Sequence, residues 1–301
     1  MHPRHGLPMS SFRYLQLDVF PATLGGGNPL GVVVGAAGLS VETMQRIARW
    51  TNLVETTFVL PADDPAASYR LRIFTPHSEI AFAGHPTVGS AHTVLETGFA
   101  QPRDGRLVQQ CGAGLLPIVV EGDGEARVLS VQAPPARILR HGIEYGALRA
   151  ALGFAELGKL PPAFVEGGRR WWLAELADEA SVRSLQPNHT AIKALAREDA
   201  CMGLCVFARC RSPDYELVVR AFPAGAGIVE DPASGAANGL IAAYIAQRDA
   251  HGELARGYRV SQGREMGHDA ELIVRIDSDA AVWVGGRTRT IVDGQINWPA
   301  D

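Results

Sequence analysis

The sequence predicts an α+β protein built from two similar domains. Three observations carry that reading. The chain has 301 residues, 47% of them hydrophobic, which is enough for a large buried core and suits two domains better than one. Short runs of strand-forming residues alternate with a few helical segments along the whole length. One motif also occurs twice: "HPTVGSA" at 85–91 aligns without a gap on "DPASGAA" at 231–237, an offset of about half the chain. The likeness extends upstream, because "RIFTP" (72–76) precedes the first copy and "RAFP" (220–223) the second. Strand, loop, polar residue, proline and helix follow in the same order in both halves, the pattern of a duplication.

Taken in order, residues 1–10 read as a flexible tail, since "MHPRHGLPMSSFRY" has no apolar h-region of the signal-peptide kind. Strands are expected at "RYLQLDVF" (13–20), "LGVVVG" (30–35), "TTFVL" (56–60) and "YRLRIFT" (69–75). A helix is expected over Val41–Trp50, with Ser40 as its cap and Glu42 in its first turn. Another should begin at Pro86, a residue that suits the first helical position because its missing N–H has no partner there anyway. A hairpin region spans 107–134, and Pro134-Pro135 then breaks the pattern. The domains are therefore placed at 11–135 and 136–301, with the option that the C-terminal strands cross back to the first. In the second, helical segments near 144–156 and 181–198 precede strands at 203–209 and 215–222. A helix from Pro232 and a strand-rich end ("YRVSQ", "AELIVRI", "AVWVGG", "RTIVDG") complete it.

Composition narrows the function. The net charge of -4 and the absence of basic runs argue against a nucleic-acid partner. The apolar stretches are too short and too interrupted for a membrane span. Cys111, Cys201, Cys205 and Cys210 have no zinc-ligand spacing and read as small core residues kept reduced in the cytosol, so no metal is expected. "NHT" at 188–190 matches a glycosylation sequon but has no secretory context.

The duplicated corners offer chemistry. His85 and Asp231 stand at the heads of helices, where free N–H groups and the positive dipole end favour an anion. Gly89 and Gly235, with Ser90 and Ala236, keep the first turns narrow. If the domains face each other, the corners form one cage for a small anionic substrate. Proton transfer there could use His85, Asp231, Glu230 and Glu55, the charged residue that opens the strand in "NLVETTFV". Singly, each reads as a helix cap or a surface group; the paired corners raise the functional reading.

Five blocks resemble the PhzF-like phenazine-biosynthesis family: "DVF…GNPLGVVV" (18–34), "NLVETTFV" (52–59), "RIFTPHSEIAFAGHPTVGSA" (72–91), "EDPASGAANG" (230–239) and "SQGREMG" (261–267). They keep the family's order and cover nearly the whole chain after residue 11. The resemblance implies two diaminopimelate-epimerase-like domains, each a curled, barrel-like sheet around a central helix, with the active site between them. It implies isomerisation or epimerisation without a cofactor, by a homodimer; the phenazine enzyme isomerises trans-2,3-dihydro-3-hydroxyanthranilate by moving a proton. The family's catalytic Glu, His and Asp fall on Glu55, His85 and Asp231. Gly84, Ser234, Gly235 and Ala236 are expected to hold a substrate carboxylate. No cysteine lies in either corner, which argues against the two-thiol mechanism of the Cys-dependent relatives. The chain departs from the family at Ser234 and Ala236, where the common block has Thr and Ser, and at His268, where the last block has Arg. An epimerase or racemase of an amino or hydroxy acid, and a non-catalytic binding protein for small anions, remain alternatives at this point.

Overall fold

Two stretches of the chain trace the same path. A computed structural model describes residues 9–299 and divides them into two units, the first of 9–19, 29–131 and 287–299, the second of Phe20–Asn28 and Gln132–Gly286. In the first unit, strand Asn28–Val34 runs parallel to Thr56–Leu60, which is antiparallel to Tyr69–Phe74. That strand is parallel to Arg106–Cys111, followed by antiparallel Gly114–Glu121 and Val128–Gln132. In the second unit, Arg169–Glu175, Leu204–Arg209, Leu217–Phe222, Gly257–Gln262, Ala270–Ile276 and Val282–Gly286 repeat the same series: parallel, antiparallel, parallel, antiparallel, antiparallel. The duplication seen in seven aligned residues is thus carried by the whole order of strand pairing.

Each unit wraps its sheet around one helix. In Gly84–Glu96 every residue from Gly84 to Val94 is buried, a pattern that only a helix enclosed on all sides can have. It packs against the strands around it, including the ribbon of Met9–Val19 and Thr288–Pro299. Gly89 shows how closely they fit: a Cβ there would lie 2.5 Å from Leu30 Cδ2 and 2.9 Å from Val19 Cγ2. The counterpart in the second unit, Gly235–Arg248, is buried from Ala237 through Ile245. Amphipathic helices cover the outer faces. Val41–Thr51 turns Met44, Ile47 and Ala48 onto Val33, Phe58 and Phe74. His189–Glu198 turns Ile192 and Leu195 onto a cluster that includes Trp172, Val206 and Phe222.

The expected helix at Val41 is present, with Ser40 accepting from the Thr43 N–H at 3.2 Å and Glu42 in the first turn. Several boundaries differ. The first strand begins at Met9, because Met9 and Ser10 pair with Pro299 and Trp298, a partner strand nearly 300 residues away. Residues 1–8 of the expected tail lie outside the described residues. The single helix expected over 181–198 is two, Glu179–Ser184 and His189–Glu198, parted around Pro187. The sequence reading also missed strands Arg137–His141, Ala163–Gly167 and Arg169–Glu175. In the last, Trp171 through Glu175 are buried without interruption, so no alternation marks it. Neither central helix begins at its proline: the first starts at Gly84 and the second at Gly235.

Candidate active site

The first corner brings Glu55 and His85 together. The helix Val41–Thr51 ends at Asn52, whose φ of 53° reverses the chain. Glu55 then enters immediately before the strand Thr56–Leu60, and only 8% of it is exposed. His85 is the second residue of the central helix and is 6% exposed. Its Nε2 lies 3.5 Å from Glu55 Oε2. The ring also bonds to the backbone of Pro29. Proline has no N–H, so its carbonyl must accept and the ring must donate. Nε2 makes no hydrogen bond, which assigns the donor as Nδ1. Burial drives the His85 pKa down to about 3 against the weaker upward pull of that bond, so the imidazole is neutral near pH 7. A neutral ring protonated on Nδ1 turns its Nε2 lone pair toward Glu55. The Nε2 lone pair and the Glu55 carboxyl thus face each other across this contact.

The framework of this corner is buried and polar. Thr57 and Ser90 share a hydroxyl–hydroxyl bond of 2.9 Å. Gln109 donates to Thr87 Oγ1 and accepts from Tyr69, tying the first turn of the helix to two strands. Gly84 is itself buried at the helix start.

In the second corner Asp231 lies ahead of the helix and is pinned by an isolated bridge to Ala221, its N–H donating to the Ala221 carbonyl at 2.9 Å. Asp231 Oδ1 accepts from Asn28 Nδ2 at 3.0 Å and from the Ala233 N–H at 3.2 Å. Although part of the residue is exposed, its carboxyl is withdrawn from water, and this raises its pKa above the ordinary aspartate value against the opposing bonds from Ala233, Ser234 and Asn28. Ser234 caps the helix by accepting from the Ala237 N–H. Gly235 and Ala236 open its first turn, half-buried and exposed respectively.

Three polar residues hold this corner that no reading of individual residues singled out. Gln262 donates to the Asp231 carbonyl at 2.7 Å and accepts from the Ser234 N–H and from Asn238. Asn238 and Gln262 are fully buried, as is Asn28. Asn28 and Gln262 sit in the quoted "GNP" and "SQG" blocks, which was the available signal. Gly263 follows with φ +94°, and a Cβ there would press on the Pro232 carbonyl at 2.7 Å. His268 Nδ1 lies 2.7 Å from the Gly27 carbonyl.

Glu230, weighed as a further proton-transfer group, is committed elsewhere. Both of its oxygens accept from the Arg220 guanidinium, at 2.8 and 2.9 Å, and both residues are buried. The first unit has the counterpart: Arg72 makes the same two-bond contact with Glu79, in a more exposed setting. All four cysteines are free thiols; burial pushes Cys201 and Cys210 up to about 11 and also raises Cys205 well above the ordinary thiol value. Among the described residues no group of three or more His, Cys, Asp or Glu is placed to hold a metal ion, and no helix is long and apolar enough to cross a membrane.

Comparison with known proteins gives a consistent result. A family model described as "Phenazine biosynthesis-like protein" matches residues 17–294. The chain is 33% identical over 298 residues to a Schizosaccharomyces pombe protein named antisense-enhancing sequence 1, covering 95% of this chain and 99% of that one. It is 31% identical over 301 residues to a Pseudomonas aeruginosa protein named trans-2,3-dihydro-3-hydroxyanthranilate isomerase, covering 94% and 98%. The crystal structure of a Bacillus anthracis phenazine biosynthesis protein of the PhzF family shares the fold, with a TM-score of 0.82 at 23% identity over 95% of this chain and 99% of that one.

Proposed function

The chain belongs to the phenazine biosynthesis-like family of isomerases, and we propose that it moves a proton between carbons of a small anionic carbon acid without a cofactor. Glu55 is the general acid/base in this reading. As carboxylate it takes the proton from an activated C–H bond, whose electron pair passes into the substrate's conjugated system. It then returns the proton to a second carbon and is regenerated. His85, neutral and aimed by its bond to Pro29, sets its Nε2 beside the Glu55 carboxyl and handles a second proton of the reaction. Asp231, whose raised pKa lets it retain a proton more readily than an ordinary aspartate, polarises the substrate's amine or enol oxygen. Gly84, Ser234, Gly235 and Ala236 hold the substrate carboxylate, largely through backbone N–H groups. The duplicated sequence supports assigning both corners to one reaction.

The observation that carries this reading is the buried Glu55–His85 contact of 3.5 Å, with the ring already bonded to the Pro29 backbone. Positioned acid–base catalysis contributes about 10²–10⁴-fold. Glu55→Gln should therefore lose about that factor in turnover and retain substrate affinity, since Gln keeps the shape of the side chain. trans-2,3-Dihydro-3-hydroxyanthranilate is the first substrate to test, after the relative's name. Ala236 lacks the hydroxyl that the family's Ser supplies to a carboxylate, so a related anion that relies on the backbone N–H there belongs in the same panel. Turnover in heavy water separates the outcomes: label at a new carbon marks an isomerase, and inversion with label at one carbon marks an epimerase. In this reading the protein works as a cytosolic homodimer, which sedimentation of the purified chain checks. Full turnover by Glu55→Gln would sink the assignment.

A further inference from the structure

The second unit carries a cavity of about 850 Å³ that shares no residue with either corner. Its rim is basic. Arg169 and Arg170 open the strand Arg169–Glu175, and Lys193 and Arg197 stand one turn apart on the helix His189–Glu198. Thr190 lies on the same helical face, three residues before Lys193. Small apolar side chains, Ala194, Ala196, Ala200 and Ala224, line it together with Met202. One acid, Glu166, reaches the rim, and it already accepts from Arg137 Nε and a second guanidinium nitrogen at 2.9 and 2.6 Å.

Among the described residues none of the four cations takes part in an ion pair with a carboxylate, whereas most other arginines of this chain do. Arg197 does lie in the last turn of its helix, where a cation suits the dipole. Arg170 donates to the Ala200 carbonyl at 2.9 Å, and Arg169 makes only a long contact of 3.6 Å to the Met202 sulfur. Like charges four residues apart on a helix weaken it, and two further cations on the same cavity add to that repulsion. All this occurs in a chain whose net charge is -4.

We propose that this cavity binds a small polyphosphate anion, a ligand carrying two or more linked phosphates. Guanidinium forks match phosphate oxygens two at a time, lysine adds a mobile point charge, and the Thr190 hydroxyl offers a neutral donor. Four cations call for a compact ligand of three or four negative charges, which linked phosphates supply and a monocarboxylate substrate does not. The volume falls within the range of small-molecule sites, about 300–1,000 Å³, and the alanine and methionine side chains of the lining can take an organic body attached to the phosphates.

The test uses the full chain and inorganic tripolyphosphate, by titration calorimetry and thermal denaturation. Tripolyphosphate should bind and raise the melting temperature, while sodium chloride at matched ionic strength should not. The double variant Lys193→Ala/Arg197→Ala removes two exposed side chains, and circular dichroism checks its fold. It should lose about tenfold or more in affinity, since each charge-assisted bond lost is worth about that factor. Glu55→Gln should bind tripolyphosphate as the parent does, which separates this site from the proposed reaction. Failure of tripolyphosphate to bind, equal binding by the double variant, or tighter binding of citrate than of tripolyphosphate would each overturn the proposal.

Discussion

Asn28 offers the sharpest test of how the second corner is built. It is fully buried, and its amide nitrogen donates to Asp231 Oδ1 at 3.0 Å and to the Ala233 carbonyl at 3.1 Å. Asn28→Ala deletes both bonds. A hydrogen bond to a charged group is worth about 1.5–3 kcal/mol and a neutral one about 1 kcal/mol, so the loss at neutral pH should be about 3 kcal/mol. Asp231 keeps the Ala233 N–H, which prevents a larger collapse. The cost should depend on pH. The folded-state pKa of Asp231 is already raised, and the Asn28 bond opposes that rise. Deleting the bond raises it further. A carboxyl whose folded pKa lies above its unfolded one contributes stability at low pH that is lost as pH climbs through the folded value. The variant extends that window upward, so its deficit should shrink on acidification. Urea denaturation of parent and variant at about pH 7.5 and about pH 5 measures this. Asn28→Asp, which places a second carboxylate against Asp231, should be worse than Ala at the higher pH. A deficit below about 0.5 kcal/mol, or one that does not shrink at the lower pH, would refute the claim that Asn28 sustains the ionised Asp231.

Other consequences are open to measurement. Arg220→Met strands the buried Glu230 carboxylate and should cost about 3–5 kcal/mol in denaturant, much of it restored by adding Glu230→Leu; a neutral single variant would contradict the pairing. Gly89→Ala forces a methyl into atoms 2.5 and 2.9 Å away and should cost about 1–3 kcal/mol by overpacking, read from the melting temperature. His85 should titrate by NMR near pH 3 rather than 6.5. Because its folded pKa is lowered, the unfolded chain binds the extra proton between those values, and the group's share of stability is lost as pH falls through that window. His85→Gln should flatten that part of the stability profile.

The sequence displayed the fold where local pattern and tertiary structure agree. "TTFVL" became the strand Thr56–Leu60 without shift, and the capped helix at Val41 formed as its cap required. The motif repeat foretold two units with the same order of strand pairing. Patterns failed where long-range contacts decide. Met9 joins a strand only because Pro299 lies opposite, and Trp171–Glu175 shows no alternation because both faces are buried. At the corners, proline marked each helix entrance to within a few residues. Two helical starts displaced in opposite directions, Gly84 before Pro86 and Gly235 after Pro232, make the aligned His85 and Asp231 structurally unlike. Glu55 and His85 were both identified, but their mutual approach is set by the way the strand and the central helix pack, which neither residue's neighbours in sequence reveal. The roles of Asn28 and Gln262 depend on contacts across 203 and 31 residues respectively.

The account rests on Glu55 as the group that carries the proton. The most direct test is NMR of deuterium incorporation from heavy water into trans-2,3-dihydro-3-hydroxyanthranilate and a panel of related anions, by the parent protein and by Glu55→Gln. The account predicts label at a new carbon with the parent, and loss of that label by about 10²-fold or more in a variant that still binds the substrate. Label entering equally fast with Glu55→Gln, or binding without any exchange by the parent, would contradict it.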